Sequence, residues 1–212
     1  MPRFGSVVFD CDSTLSALEG IDELAAEHHA EIQALTDAAM RGEVPLEQVY
    51  GRRLEIVRPG RERVEQLGRR YVEALVPGAR AAVQALQDAG VLVRVLSGGL
   101  RPAVLALTRT LGIRDEDVAA VDVRFDAAGG YAGFDADSPL TRSGGKATVL
   151  RAWLPELTGP VLMVGDGVTD LEARPPADMF AAFTGVVRRE RVVAAGDFVA
   201  ATMEDIRRLV LG

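Results

Sequence analysis

The 212-residue chain is poor in the features that mark extracellular, membrane or nucleic-acid work. It has one cysteine, Cys11, which excludes an intramolecular disulfide and leaves no set of thiolates for a zinc site. Its two histidines, His28 and His29, are adjacent, and neighbours in a helix do not face one metal. A basic excess is also missing. With 24 Lys+Arg against 31 Asp+Glu the net charge is −7, a field that repels nucleic acid and anionic membranes. No apolar run reaches the roughly 18 residues of a membrane helix. The start, MPRFGSVVFD, enters a strand-like run without the apolar core of a signal peptide, so the expected location is the cytoplasm. What is present, 48% apolar and 26% charged residues, suits one globular core with room for a small second lobe.

Three short apolar runs read as buried strands: Val7–Phe9, Val91–Leu96 and Val161–Val164. Each stops at small or acidic residues, namely Asp10, Ser97-Gly98-Gly99 and Gly165-Asp166-Gly167. Helical stretches follow at 80–89, 101–111 and 146–154, which predicts an α/β fold with a Rossmann-like parallel sheet. Ligands bind such sheets beyond the carboxyl ends of the strands, so the three endings should meet. Residues 16–76 break the rhythm with helical segments at 21–29, 31–40, 46–57 and 61–75 and no strand. Pro45 suits a first helical turn, and Pro59-Gly60 and Pro77-Gly78 punctuate the ends. The expected organisation is a core of 1–15 and 77–212 with a helical cap inserted at 16–76. Gly129-Gly130, between two β-like runs from Phe125 to Phe134, predicts a hairpin.

The chemistry concentrates at the strand ends. Asp10-Cys11-Asp12-Ser13-Thr14 sets two carboxylates two residues apart, which is unfavourable unless a cation or proton lies between them. Alone, such a pair is as readily a solvated turn. It is joined by Ser97-Gly98-Gly99, by Gly144-Gly145-Lys146 opening a helix, and by Gly165-Asp166-Gly167-Val168-Thr169-Asp170. Several acids with hard oxygen ligands suit Mg²⁺. A hydroxyl, glycine amides and a lysine suit a phosphate. The Ser143–Lys146 run is not a Walker A motif, because Ala147 follows the lysine. Cys11 should alternate away from the site as a small buried residue.

This ordered set resembles the four motifs of the haloacid dehalogenase superfamily of phosphotransferases. More narrowly, 10–25 (DCDSTLSALEGIDELA), Ala39-Met40 with Gly42, Tyr131–Phe134 and Ser143–Lys146 are similar to the phosphoserine phosphatase family. The chain departs from relatives at Arg41, Leu46 and Thr169. The resemblance implies a Mg²⁺-dependent hydrolase acting on O-phosphoserine at the end of serine biosynthesis. Asp10 would be the nucleophile, Asp12 the acid and base, and Lys146 a cation on the phosphate. Asp10, Asp166 and the main-chain carbonyl of Asp12 would hold the metal, with Asp170 behind them. Ser97, Gly98, Gly99 and Thr169 would border the phosphate. From spacing alone Glu19 reads as a helix N-terminal acid, Arg53 as a surface residue and Met40 as core. The resemblance instead makes Glu19 the ammonium partner, Arg53 the carboxylate partner and Met40 a pocket wall. Phosphoryl transfer to another alcohol such as homoserine is the nearest rival. A phospho-acceptor signalling domain fits less well, since it carries its aspartate after a middle strand and has no cap. A small-molecule substrate is expected, with no nucleic-acid or membrane partner; a homodimer is compatible with the sequence.

Overall fold

A computed structural model describes residues 1–40 and 46–212. Its centre is a six-stranded sheet in the order β3-β2-β1-β6-β7-β8, with every pairing parallel. The strands are β1 (Ser6–Phe9), β2 (Leu92–Leu100), β3 (Val118–Val121), β6 (Val161–Gly165), β7 (Met179–Phe183) and β8 (Phe198–Ala200). β1 is buried along its whole length, as expected for a central parallel strand covered on both faces. All three predicted strands are present. β2 differs in one respect: it runs on through Ser97-Gly98-Gly99 to Leu100, with an irregularity in its pairing to β3 between Leu96 and Leu100.

Helices α5 (Ala79–Asp88), α6 (Arg101–Thr110), α7 (Gly145–Trp153), α8 (Val168–Leu171), α9 (Glu190–Ala195) and α10 (Met203–Leu211) flank the sheet. Between β1 and α5 lie α1 (Gly20–Leu24), α2 (His29–Met40), α3 (Leu46–Val57) and α4 (Arg61–Glu73), with no strand among the described residues there. The chain enters and leaves this insertion side by side. Ser16 bridges Leu75, the Val76 N–H donates to the Leu15 carbonyl at 2.9 Å, and the Ala17 N–H to that of Ala74 at 2.9 Å. The predicted hairpin is present as β4 (Val123–Phe125) with β5 (Tyr131–Phe134), antiparallel.

The last insertion helix is not free of the core. The most extensive helix–helix contact among the described residues joins α4 to α6. Val64, Leu67, Gly68 and Tyr71 form the buried face of α4, at the i, i+3, i+4, i+7 spacing of an amphipathic helix. Gly68 permits close approach, since a side chain there would press on Ala106 and on the Ala103 backbone. The stretch between β1 and α5 is therefore anchored along its final helix to α6, one of the helices flanking the sheet.

Candidate active site

Register brings the predicted groups together. Phe9 stands opposite Val95 of β2 on one side and Val164 of β6 on the other, so β1, β2 and β6 end at one edge. Asp10 directly follows β1, and its N–H still joins the ladder, donating to the Val164 carbonyl at 2.9 Å. Asp166 follows β6, and Asp170 sits in α8 one turn later. A Cβ on Gly165 would overlap the Asp170 side chain, which explains why glycine precedes Asp166. Lys146, in the first turn of α7, reaches into the same space.

Lys146 Nζ lies 2.7 Å from Asp10 Oδ1 and 2.5 Å from Asp170 Oδ1, and all three side chains are at least nine-tenths buried. Asp170 Oδ2 accepts from the Gly167 N–H at 2.9 Å, which locks the turn after β6. Burial pushes the Asp10 carboxyl well above the ordinary range; Asp170 pushes it further and Lys146 opposes. Burial alone would weaken the Lys146 cation, but Asp10 and Asp170 more than offset it and hold the ammonium above its usual value. One oxygen each from Asp10, Asp166 and Asp170 lies within 4.8 Å of the others. Three buried hard donors with too little positive charge fit a divalent cation. The predicted metal set overlaps this trio at Asp10 and Asp166. The Asp12 side chain stands apart from it, so a part for Asp12 rests on its main-chain carbonyl alone.

Asp12 faces the insertion. Its Oδ2 accepts from the Gly20 N–H at 3.2 Å, and its Oδ1 from the Tyr71 hydroxyl. Burial raises its pKa to about 6, against the pull of the Tyr71 and Gly20 hydrogen bonds. Cys11, between the two acids, is fully buried as expected, and burial pushes its thiol upward. Ser13 takes a left-handed backbone, φ 52°, which is uncommon outside glycine. Its hydroxyl donates to Glu19 Oε1 at 2.8 Å.

Above the acids is a cavity of about 720 Å³. Asp10, Asp12, Glu19, Arg53, Ser97, Gly98, Lys146 and Thr169 all line it, so eight of the twelve predicted residues converge on one space. Gly99 is buried just behind, its N–H donating to Ser97 Oγ at 3.0 Å. Glu19 and Arg53 are both engaged within the chain. Arg53 pairs with Asp22 through Nη2, while its buried Nε has no partner among the described residues. Glu19 accepts from Arg189 Nη2 at 3.1 Å, and Arg189 Nε donates to Asp166 Oδ2 at 2.9 Å. The side chain of Met40, together with Arg41, Gly42, Pro45 and the side chain of Leu46, lies outside the described residues.

Three contributors have no motif. Arg189 sits in a charged run that reads as surface. Tyr71 reads as core by helical period. Tyr50 of α3 crosses from the insertion, donating to the Gly98 carbonyl at 2.9 Å, with its ring 5.5 Å from that of Phe134.

Comparison with known proteins agrees with this geometry. Residues 7–173 match the haloacid dehalogenase-like hydrolase family. Phosphoserine phosphatase of Homo sapiens is 40% identical over 190 residues, 88% of this chain and 84% of that protein. The chloroplastic phosphoserine phosphatase of Arabidopsis thaliana is 37% identical over 206 residues, 95% of this chain and 70% of the relative. A solved structure described as a phospho-aspartyl intermediate analogue of phosphoserine phosphatase superposes with a TM-score of 0.77 at 25% identity, covering 96% of this chain and 97% of the other. With β1, β2 and β6 presenting acid, hydroxyl and acid at one sheet edge, and with identity this high along nearly the whole chain, the protein belongs to the haloacid dehalogenase-like hydrolases and, within them, to the phosphoserine phosphatase family.

Proposed function

We propose that the protein hydrolyses O-phospho-L-serine to L-serine and phosphate, the closing step of serine biosynthesis, through an aspartyl-phosphate on Asp10. The observation that carries this reading is the buried Asp10–Lys146–Asp170 array beneath a cavity that also holds Asp12, Glu19 and Arg53. Asp10 Oδ attacks phosphorus in line, and the P–O bond to serine breaks with its electron pair on the serine oxygen. An alkoxide is a poor leaving group, so Asp12 delivers a proton to it. Asp12 then takes a proton from the water that cleaves the aspartyl-phosphate. Lys146, held between two carboxylates, places positive charge on the transferring phosphoryl group, while Ser97 and the Gly98 and Gly99 amides border its oxygens.

Asp10, Asp166 and the Asp12 carbonyl would hold Mg²⁺, with Asp170 behind. When bound, it supplies the charge that lets a carboxylate approach a dianionic ester. Glu19 takes the substrate ammonium and Arg53 its carboxylate, exchanging their present partners Arg189 and Asp22 for the ligand. Segment 16–76 serves as the cap of the 1–15 and 77–212 core. Because α4 is packed on α6, closure falls to the part carrying α1–α3. Soluble substrate and product suit the cytoplasm.

The test is phosphate release from a panel of phosphomonoesters, with Mg²⁺ and with chelator, and with alcohols added as acceptors. Phosphoserine should lead the panel and chelator should abolish turnover. Faster phosphoryl transfer to homoserine than to water would replace the hydrolase reading.

A further inference from the structure

Asp12 carries the proton in the proposed reaction, and what holds its carboxyl is a tyrosine. Tyr71 belongs to α4, its side chain is fully buried, and its hydroxyl donates to Asp12 Oδ1. The surrounding backbone is shaped around that hydroxyl. A Cβ on Gly20 would overlap it, and one on Gly99 would stand 3.4 Å away. The Gly20 N–H that this closeness permits donates to the other Asp12 oxygen at 3.2 Å. A carboxylate has about four lone-pair directions. One donor on each oxygen fixes the plane of the group and leaves the remaining directions for exchange with the substrate.

We infer that Tyr71 is a positioning residue that holds the Asp12 carboxyl in the orientation from which it protonates the leaving alkoxide. The inference rests on the proposed phosphomonoester hydrolysis. It explains why a polar-tipped side chain occupies a helix face otherwise made of Val64, Leu67 and Gly68. It also gives α4 a second role, since a helix anchored on α6 keeps the Tyr71 hydroxyl on Asp12 Oδ1 while α1–α3 move.

Tyr71→Phe keeps the ring and removes the hydroxyl. Single-turnover phosphoenzyme formation should slow ~10-fold or more with phosphoserine, because a misoriented acid fails the alkoxide. With 4-nitrophenyl phosphate, whose phenolate needs little protonation, the same step should slow far less. KM for phosphoserine should hold, and in an Asp12→Asn background Tyr71→Phe should add nothing further. An unchanged rate with phosphoserine, or equal loss with both esters, would overturn the assignment and leave Tyr71 a packing residue. Should Tyr71→Phe not fold, 4-fluorophenylalanine placed at position 71 fills the space of the hydroxyl and donates nothing. An unaltered ratio of the two rates would then overturn it equally. A wild-type enzyme that spares phosphoserine but cleaves another alkyl phosphate overturns only the substrate reading, and the same ratio is measured with that ester.

Discussion

At the scale of single residues, Asp10 has the most clearly defined environment, a buried carboxyl answered by one buried lysine. Asp10→Asn keeps the shape and removes the proposed nucleophile, so turnover should fall ~10³-fold or more. Acid-quenched reactions should trap no phosphoenzyme, and normal single-turnover phosphate release would exclude a covalent route. The residues proposed to read the substrate, Arg53 and Glu19, have a different signature. Arg53→Ala should cost about 2–5 kcal/mol in kcat/KM for phosphoserine, the usual effect of breaking one side of a desolvated pair. It should barely touch phosphoethanolamine, which has no carboxylate. Glu19→Gln should impair both esters and spare 3-phosphoglycerate, which has no ammonium. Equal losses on all three would mean that Arg53–Asp22 serves only to tie α3 to α1 and Glu19–Arg189 only to tie the insertion to the core.

At the scale of elements, α3 and α4 divide the work of the insertion. α3 meets the end of β2 proposed to border the phosphate through the Tyr50 hydroxyl on Gly98, one of several hydrogen bonds between insertion and core. Such a bond is worth about 1 kcal/mol net. Tyr50→Phe should therefore lower the melting temperature by about 2–4 °C and raise KM for phosphoserine by roughly 5-fold at most. An unaffected KM would deny the contact a part in closure. α4 depends on close packing instead. Gly68→Val would force a branched side chain against Ala103 and Ala106, and overpacking of this kind costs about 1–3 kcal/mol. Urea denaturation should show the unfolding free energy falling by that amount.

For the whole molecule, the acids gathered at one sheet edge make folding and ion binding linked equilibria. Burial and Asp170 raise Asp10, and burial raises Asp166, so the folded state gains from any cation that screens them. Mg²⁺ at 100 times its dissociation constant should stabilise the fold by about 2.7 kcal/mol, seen as a rise in melting temperature without any substrate. Asp166→Asn should abolish most of that rise. A shift that survives the substitution would place the ion elsewhere. Among the described residues no helix is long and apolar enough to cross a membrane.

How much of this is legible in the sequence depends on the range of the interaction. Strands β1, β2 and β6, the insertion with its helices, the β4–β5 hairpin and the groups at the strand ends all follow from local pattern: β-branched runs, turn residues and helical period. Parallel pairing then obliges Asp10, Ser97 and Asp166 to share an edge. The end of β2 departs from its local pattern because Ser97-Gly98-Gly99 reads as a turn, whereas pairing across the sheet keeps it extended through Leu100. Arg189, Tyr50 and Tyr71 leave no sequence signal, since each acts across a contact between residues at least 23 positions apart. Arg189 meets Asp166 and Glu19, Tyr50 meets Gly98, and Tyr71 meets Asp12. A tyrosine at helical spacing with Val64 and Leu67 is indistinguishable from core until the fold sets its hydroxyl against a carboxylate. Local periodicity and strand-end chemistry thus gave, from the sequence, a site for a cation and a phosphate at one sheet edge, and the family resemblance added the reaction. The partners that orient each reacting group were decided by the tertiary structure alone, because orientation depends on which distant side chain fills the remaining space.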